Sequence, residues 1–100
     1  MTSPSKTKVY FIENTETGRI KVGFTTASVN MRMTQLQVGS DSELRLLGVI
    51  TADSSKGTTE KQLHQTLASW HYRGEWFTRK ALPCVVEIIR LTKNRAKEHG

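Results

Sequence analysis

Apolar and polar residues alternate most clearly between positions 9 and 24. VYFIEN over 9–14 is rich in β-branched and aromatic residues and reads as a strand. TETG over 15–18 reads as a turn closing on glycine, and RIKVGF over 19–24 as a second strand, so the two predict a hairpin. With a four-residue turn, Asn14 falls opposite Arg19, Ile12 opposite Lys21 and Tyr10 opposite Gly23. Side chains alternate between faces, which puts Val9, Phe11, Ile20, Val22 and Phe24 on one strongly apolar face. Tyr10 and Lys21 then project from the other face as diagonal neighbours, with open space above Gly23. A slip of one residue would separate them.

Beyond the hairpin, the period changes to that of a helix. Ser28 is placed to cap a helix over 29–37, where Val29, Met33 and Leu36 share one stripe. Residues 43–50 (ELRLLGVI) predict a third strand. A second helix is expected over 59–70, opened by Thr58 or Thr59, with Leu63, Leu67 and Trp70 turned inward. Residues 71–74 read as a short turn and 75–77 as extended chain. A last helix is expected from near Pro83, a favoured first helical position. The order ββαβαα has no parallel crossover pattern. It predicts an α+β fold: a small three-stranded antiparallel sheet flanked by about three helices.

Composition narrows the class. A chain of 100 residues has room for one domain, and 36% hydrophobic with 24% charged residues fits a globular chain. No stretch approaches the roughly 20 apolar residues of a membrane helix. Residues 1–7 are polar and lack the apolar core of a secretory signal, so they read as a disordered leader. The lone Cys84 excludes an internal disulfide and a cysteine-based zinc site. A cytoplasmic setting is the default expectation. Fifteen Lys and Arg against nine Asp and Glu give a net charge of +6. Such an excess suits a polyanionic partner such as nucleic acid, though it also serves solubility. Arg79, Lys80, Lys93 and Arg95 are the candidate nucleic-acid contacts, with 93–100 a basic tail.

Several residues stand where chemistry can be done. Taken singly, Tyr10 also reads as a packed core aromatic and Lys21 as a solvated strand lysine. Arg32 lies at the edge of the first helix's apolar stripe. Its guanidinium fork suits phosphate oxygens, or it snorkels and pairs with a carboxylate. Glu60 and His64 are spaced i to i+4 beside the inward stripe of the second helix. They form either a structural hydrogen bond or a polarised imidazole fit for proton transfer. The spacing of His64, His71, Glu60 and Glu75 matches no zinc set. Glu75, held between Gly74 and Trp76-Phe77, can act as a single carboxylate ligand for Mg²⁺.

Together these residues resemble the GIY-YIG nuclease superfamily. VYFIENTETGRIKVG is similar to its two-strand signature, keeping the first tyrosine as Tyr10 and the terminal glycine as Gly23. Arg32 falls where the family's helix arginine is expected. E-x-x-x-H (Glu60 to His64) and GEWF over 74–77 are similar to a compact phage and bacterial branch. The resemblance spans roughly residues 8–90, which makes 8–92 the expected nuclease domain. Departures are Lys8-Val9 in place of Gly-Ile, Lys21 where tyrosine is usual, and Leu36 where many members carry His or Tyr. Asn94 is a weak candidate for a late asparagine.

The resemblance implies phosphodiester hydrolysis in nucleic acid, most readily DNA, with Mg²⁺ or Mn²⁺ as cofactor. In that reading Tyr10, Lys21, Arg32, His64 and Glu75 converge on one cleft as the catalytic set. Glu75 holds the metal, and Tyr10 positions or deprotonates water. Lys21 favours the phenolate or contacts phosphate, and Arg32 stabilises developing charge. Glu60, orienting His64, and Gly23 give support. Two other readings compete. One is a non-catalytic nucleic-acid-binding module on the same fold. The other is a small protein-interaction domain presenting Trp70, Tyr72, Trp76 and Phe77. A homodimer is compatible with either strand-gripping role, and no membrane partner is expected.

Overall fold

The computed structural model describes residues 7–52 and 60–99, with the side chains of 60 and 93–99 outside the description. Two strands, β1 (Lys8–Asn14) and β2 (Ile20–Thr25), form the expected hairpin. Its register pairs Tyr10 with Gly23 and Ile12 with Lys21. Asn14 closes the turn: its N–H donates to the Arg19 carbonyl at 2.9 Å, and its Oδ1 accepts from the N–H groups of Glu16 and Thr17. Gly18 has φ of 77°, a conformation that glycine adopts without steric cost.

The first helix, α1 (Val29–Val38), is capped by Ser28, whose side chain accepts from the Met31 N–H. Gln37 ties the end of α1 to the chain at Ser42 and Leu44. Its Nε2 donates to the Ser42 carbonyl, and its Oε1 accepts from Leu44 N–H at 2.8 Å. Strand β3 (Leu44–Thr51) then pairs antiparallel with the outer side of β1, with an irregularity between Phe11 and Ile12. The second helix, α2 (Glu60–Thr66), is shorter than expected and passes into a 3-10 turn at Ala68–Trp70.

The expected three-stranded sheet is corrected to five strands, in the order β3-β1-β2-β5-β4. The additional strands are β4 (His71–Arg73) and β5 (Trp76–Phe77). The turn expected over 71–74 is thus largely strand. Strands of three and two residues are too short to show alternation, so only pairing reveals them. β5 docks on the free edge of β2, setting Ile20 against Phe77 and Lys21 against Trp76, and Val22 N–H donates to the Glu75 carbonyl at 2.9 Å. After a 3-10 turn at Arg79–Ala81, helix α3 (Leu82–His99) completes the fold.

Helices cover both faces of the sheet. The main core gathers Val9, Phe11, Ile20, Val22, Ile50 and Phe77 of the sheet with Leu63 and Leu67 of α2 and Val85 and Ile89 of α3. Phe24 packs against it, completing the predicted apolar face. Gly48 lets α3 approach closely, since a Cβ there would stand 2.7 Å from Ile89 Cδ1. On the opposite face, Tyr10, Ile12 and Leu44 pack beneath Val29, Met33 and Leu36 of α1, with Val49 and Trp76 alongside. The leader before Thr7, the cap at Thr58 or Thr59, and the side chains of Lys93, Asn94 and Arg95 lie outside the described residues.

Candidate functional site

The site grows out of the α1-facing side of the hairpin. Tyr10 is 1% exposed, and its ring lies directly over Gly23. A Cβ at position 23 would fall 2.1 Å from Tyr10 Cζ and 2.3 Å from its hydroxyl. Gly23 therefore creates the space in which the phenol lies. From α1, Arg32 Nε donates to the Tyr10 hydroxyl at 3.3 Å, and Nη1 of the same guanidinium donates to Gln35. The hydrogen bond to Tyr10 is the chief influence on Arg32 and raises its pKa above the ordinary arginine value. The electrostatic interaction with Tyr10 acts the same way, desolvation opposes it, and the Glu75 carboxylate adds a smaller upward pull. Arg32 thus stays cationic.

Two residues along β2 from Gly23, Lys21 shares its face. Lys21 Nζ meets Glu75 Oε1 at 3.0 Å, the lysine side chain being 14% exposed and the glutamate 38%. The β2–β5 pairing builds this contact, since Lys21 is in register with Trp76 and Glu75 is next in the chain. Lys21 Nζ also stands 5.6 Å from the centre of the Trp76 ring, within the range of a cation–π contact. Four of the five expected catalytic residues are therefore on one sheet face: Tyr10 bonded to Arg32, Lys21 paired with Glu75, and Trp76 packed into the Tyr10 cluster.

His64 is the exception. It packs on the opposite face, with ring centres 6.3 Å from Phe24 and 5.5 Å from Phe77. Its Nε2 is buried with no hydrogen-bond partner among the described residues. His64, expected in the same cleft, therefore does not share the face that carries Tyr10, Lys21, Arg32 and Glu75. The physical reason is that Leu63 and Leu67 must be buried, which draws α2 onto the main core. The Glu60–His64 spacing defines a helix face, not which side of the sheet that helix covers. The Glu60 side chain itself lies outside the described residues.

Of the expected nucleic-acid contacts, Arg79 and Lys80 are exposed on the 3-10 turn before α3. Arg79 covers the hairpin turn, its Cβ being 3.0 Å from where a Gly18 Cβ would be. Lys93 and Arg95 have no described side chains. Among the described residues no three of His, Cys, Asp and Glu gather as a metal cluster. A metal on this face would have the Glu75 carboxylate as a ligand. That donor set fits Mg²⁺, which is held by one or two carboxylates and otherwise by water and phosphate oxygens. It does not fit zinc.

The arrangement offers a buried phenol, a permanent cation over it, a second cation and one solvent-facing carboxylate. A family model described as the T5orf172 domain matches residues 7–97. The chain belongs to the T5orf172 domain family. Membership fits a nuclease-like or nucleic-acid-binding role and the nuclease-associated fold class of the five-stranded sheet with its three helices. No curated protein and no solved structure matches the chain significantly. Among the described residues, no helix is long and apolar enough to cross a membrane.

Arg19 has no role in the sequence-based expectations. Its guanidinium lies 3.9 Å from the centre of the Tyr72 ring. A signal for it is present, because strict alternation puts Arg19, Lys21 and Gly23 on one face.

Proposed function

We propose that this T5orf172 domain is a GIY-YIG-type endonuclease that hydrolyses phosphodiester bonds in nucleic acid, with DNA as the favoured substrate and Mg²⁺ or Mn²⁺ as cofactor. The observation that carries the reading is the paired arrangement on one face, Tyr10 with Arg32 and Lys21 with Glu75. The resemblance of the hairpin, Arg32 and GEWF to that superfamily supports it, as does the net charge of +6.

Each side chain has a physical task. Arg32 presents a fixed fork of donors to the phosphate oxygens and opposes the charge that builds on them. Tyr10 is 1% exposed and its hydroxyl accepts from Arg32 Nε, so engagement of Arg32 by the substrate phosphate would release that hydroxyl. Substrate binding thereby frees Tyr10 to orient the attacking water, and as phenolate to take its proton at Oη. Lys21, close to both Glu75 and Trp76, can contact phosphate. In the reaction the water oxygen bonds to phosphorus, the bond from phosphorus to the departing sugar oxygen breaks, and solvent returns a proton to that oxygen. Glu75 would hold the metal, which when bound supplies charge neutralisation at the scissile phosphate. His64 has no task in this scheme.

The test is nicking of supercoiled plasmid and cleavage of single-stranded DNA with Mg²⁺ or with EDTA, by wild type and Glu75→Ala. Metal-dependent cleavage lost in Glu75→Ala is the expected result. Equal cleavage by both proteins removes the metal-ligand role. Salt-dependent binding without cleavage by wild type would make the chain a binding module instead.

A further inference from the structure

Beside the four-residue cluster lies a cavity that has no part in the proposed hydrolysis. Asn14, Thr17, Arg19, Tyr72 and Trp76 line about 160 Å³ at the turn end of the hairpin. It is a small cleft open to solvent, on the scale of one planar ring. Four of the five lining residues end in planar groups: a carboxamide, a guanidinium, a phenol and an indole. Arg19 stands 3.9 Å from the centre of the Tyr72 ring, and Tyr72 remains 49% exposed.

The remaining walls are polar and carry no negative charge. Asn14 Oδ1 is committed to the turn, so the group it can offer a ligand is its amide NH₂. Gly18, between Thr17 and Arg19 in the chain, is covered by Arg79, which brings a second cationic side chain to the same turn. Trp76 belongs to both places. It lines this cavity and also lies under Lys21, whose Nζ is paired with Glu75. A strand lying across the cluster would therefore bring a neighbouring nucleotide to the cavity.

We propose that this cavity is a subsite for one unpaired nucleobase of the strand whose phosphate lies at the Tyr10–Arg32 and Lys21–Glu75 cluster. It rests on the nucleic-acid hydrolase reading and adds a substrate class to it: single-stranded or locally opened nucleic acid. Recognition is by stacking against Trp76 and the Arg19–Tyr72 pair, whose guanidinium lies over the phenol ring, with the Asn14 amide as a donor. Every base has a π-face, so the subsite tolerates any sequence.

The test is a binding titration in EDTA, where the strand is not cut, using short single-stranded DNA and RNA oligonucleotides carrying one 2-aminopurine. Wild type is expected to quench the probe on binding. Tyr72→Ala is expected to bind about tenfold more weakly, within the worth of one stacked base, and to lose the quench. Tyr72→Phe keeps both, since it keeps the ring. A fully paired duplex is expected to bind wild type and Tyr72→Ala alike. Absence of single-strand binding, quenching unchanged in Tyr72→Ala, or an equal loss on the duplex overturns the subsite. Plasmid cleavage in Mg²⁺ reports separately on the hydrolase. Tyr72-dependent quenching without cleavage keeps the subsite and removes the hydrolase, and cleavage without Tyr72-dependent quenching does the reverse.

Discussion

On the side of the sheet covered by α2 and α3, the strands contribute Val9, Phe11, Ile20, Val22 and Phe77, all fully buried. On the side covered by α1, the same strands contribute Tyr10, Ile12, Lys21 and Trp76, and α1 itself buries no residue completely. One face is closed by two helices and holds the fold. The other is only partly covered by one helix and leaves cations and a carboxylate facing water. Strand alternation produces this division directly: each residue that anchors the core sends its neighbour to the site. The hairpin can therefore hold Tyr10 and Lys21 rigidly without either contributing to the larger core.

Substitutions on the two faces should separate folding from cleavage. The largest expected effect is Phe77→Ala, which empties the centre of the main core and should cost about 3–5 kcal/mol. Thermal or denaturant unfolding would show it, and cleavage should fail only through loss of folded protein. Next is Gly23→Ala. The new Cβ meets the Tyr10 ring rather than a flexible chain end, so overpacking should cost about 1–3 kcal/mol. Cleavage should be lost even at temperatures where the variant is folded, because the phenol is displaced. A Gly23→Ala protein with wild-type cleavage would show that the Tyr10 position is unimportant.

Tyr10→Phe comes third. Losing the hydroxyl removes one hydrogen bond with Arg32 and should cost about 0.5–1.5 kcal/mol. If Tyr10 handles the proton of water as proposed, its loss should lower the cleavage rate by about 10²–10⁴-fold. The smallest effect is expected from His64→Leu. Its Nε2 is a buried polar atom without a described partner, and replacing such a group by an apolar one is near neutral or stabilising. Its unfolding midpoint should stay close to wild type and cleavage should be unaffected.

The hairpin register was legible because two simple rules met: alternation along each strand and a four-residue turn ending at Gly18. These put Tyr10 opposite Gly23 and grouped the apolar side chains correctly. The Ser28 cap was legible from its side chain and the apolar stripe of α1. What sequence could not show was tertiary. Strands β4 and β5 are too short to carry a period and exist because β2 has an edge to fill. The partnership of Lys21 with Glu75, far apart in the chain, results from that docking. The position of His64 is hidden for the same reason, since helix spacing does not say which face of a sheet a helix covers.

The most direct measurement compares metal-dependent plasmid cleavage by Glu75→Gln and His64→Leu, with the folded fraction of each established by circular dichroism. Glu75→Gln is expected to be folded, since glutamine has nearly the same shape and keeps an acceptor oxygen for the part-buried Lys21 Nζ, yet inactive. His64→Leu is expected to be folded and fully active. A folded, inactive His64→Leu beside an active Glu75→Gln would contradict the placement of catalysis on the α1 face.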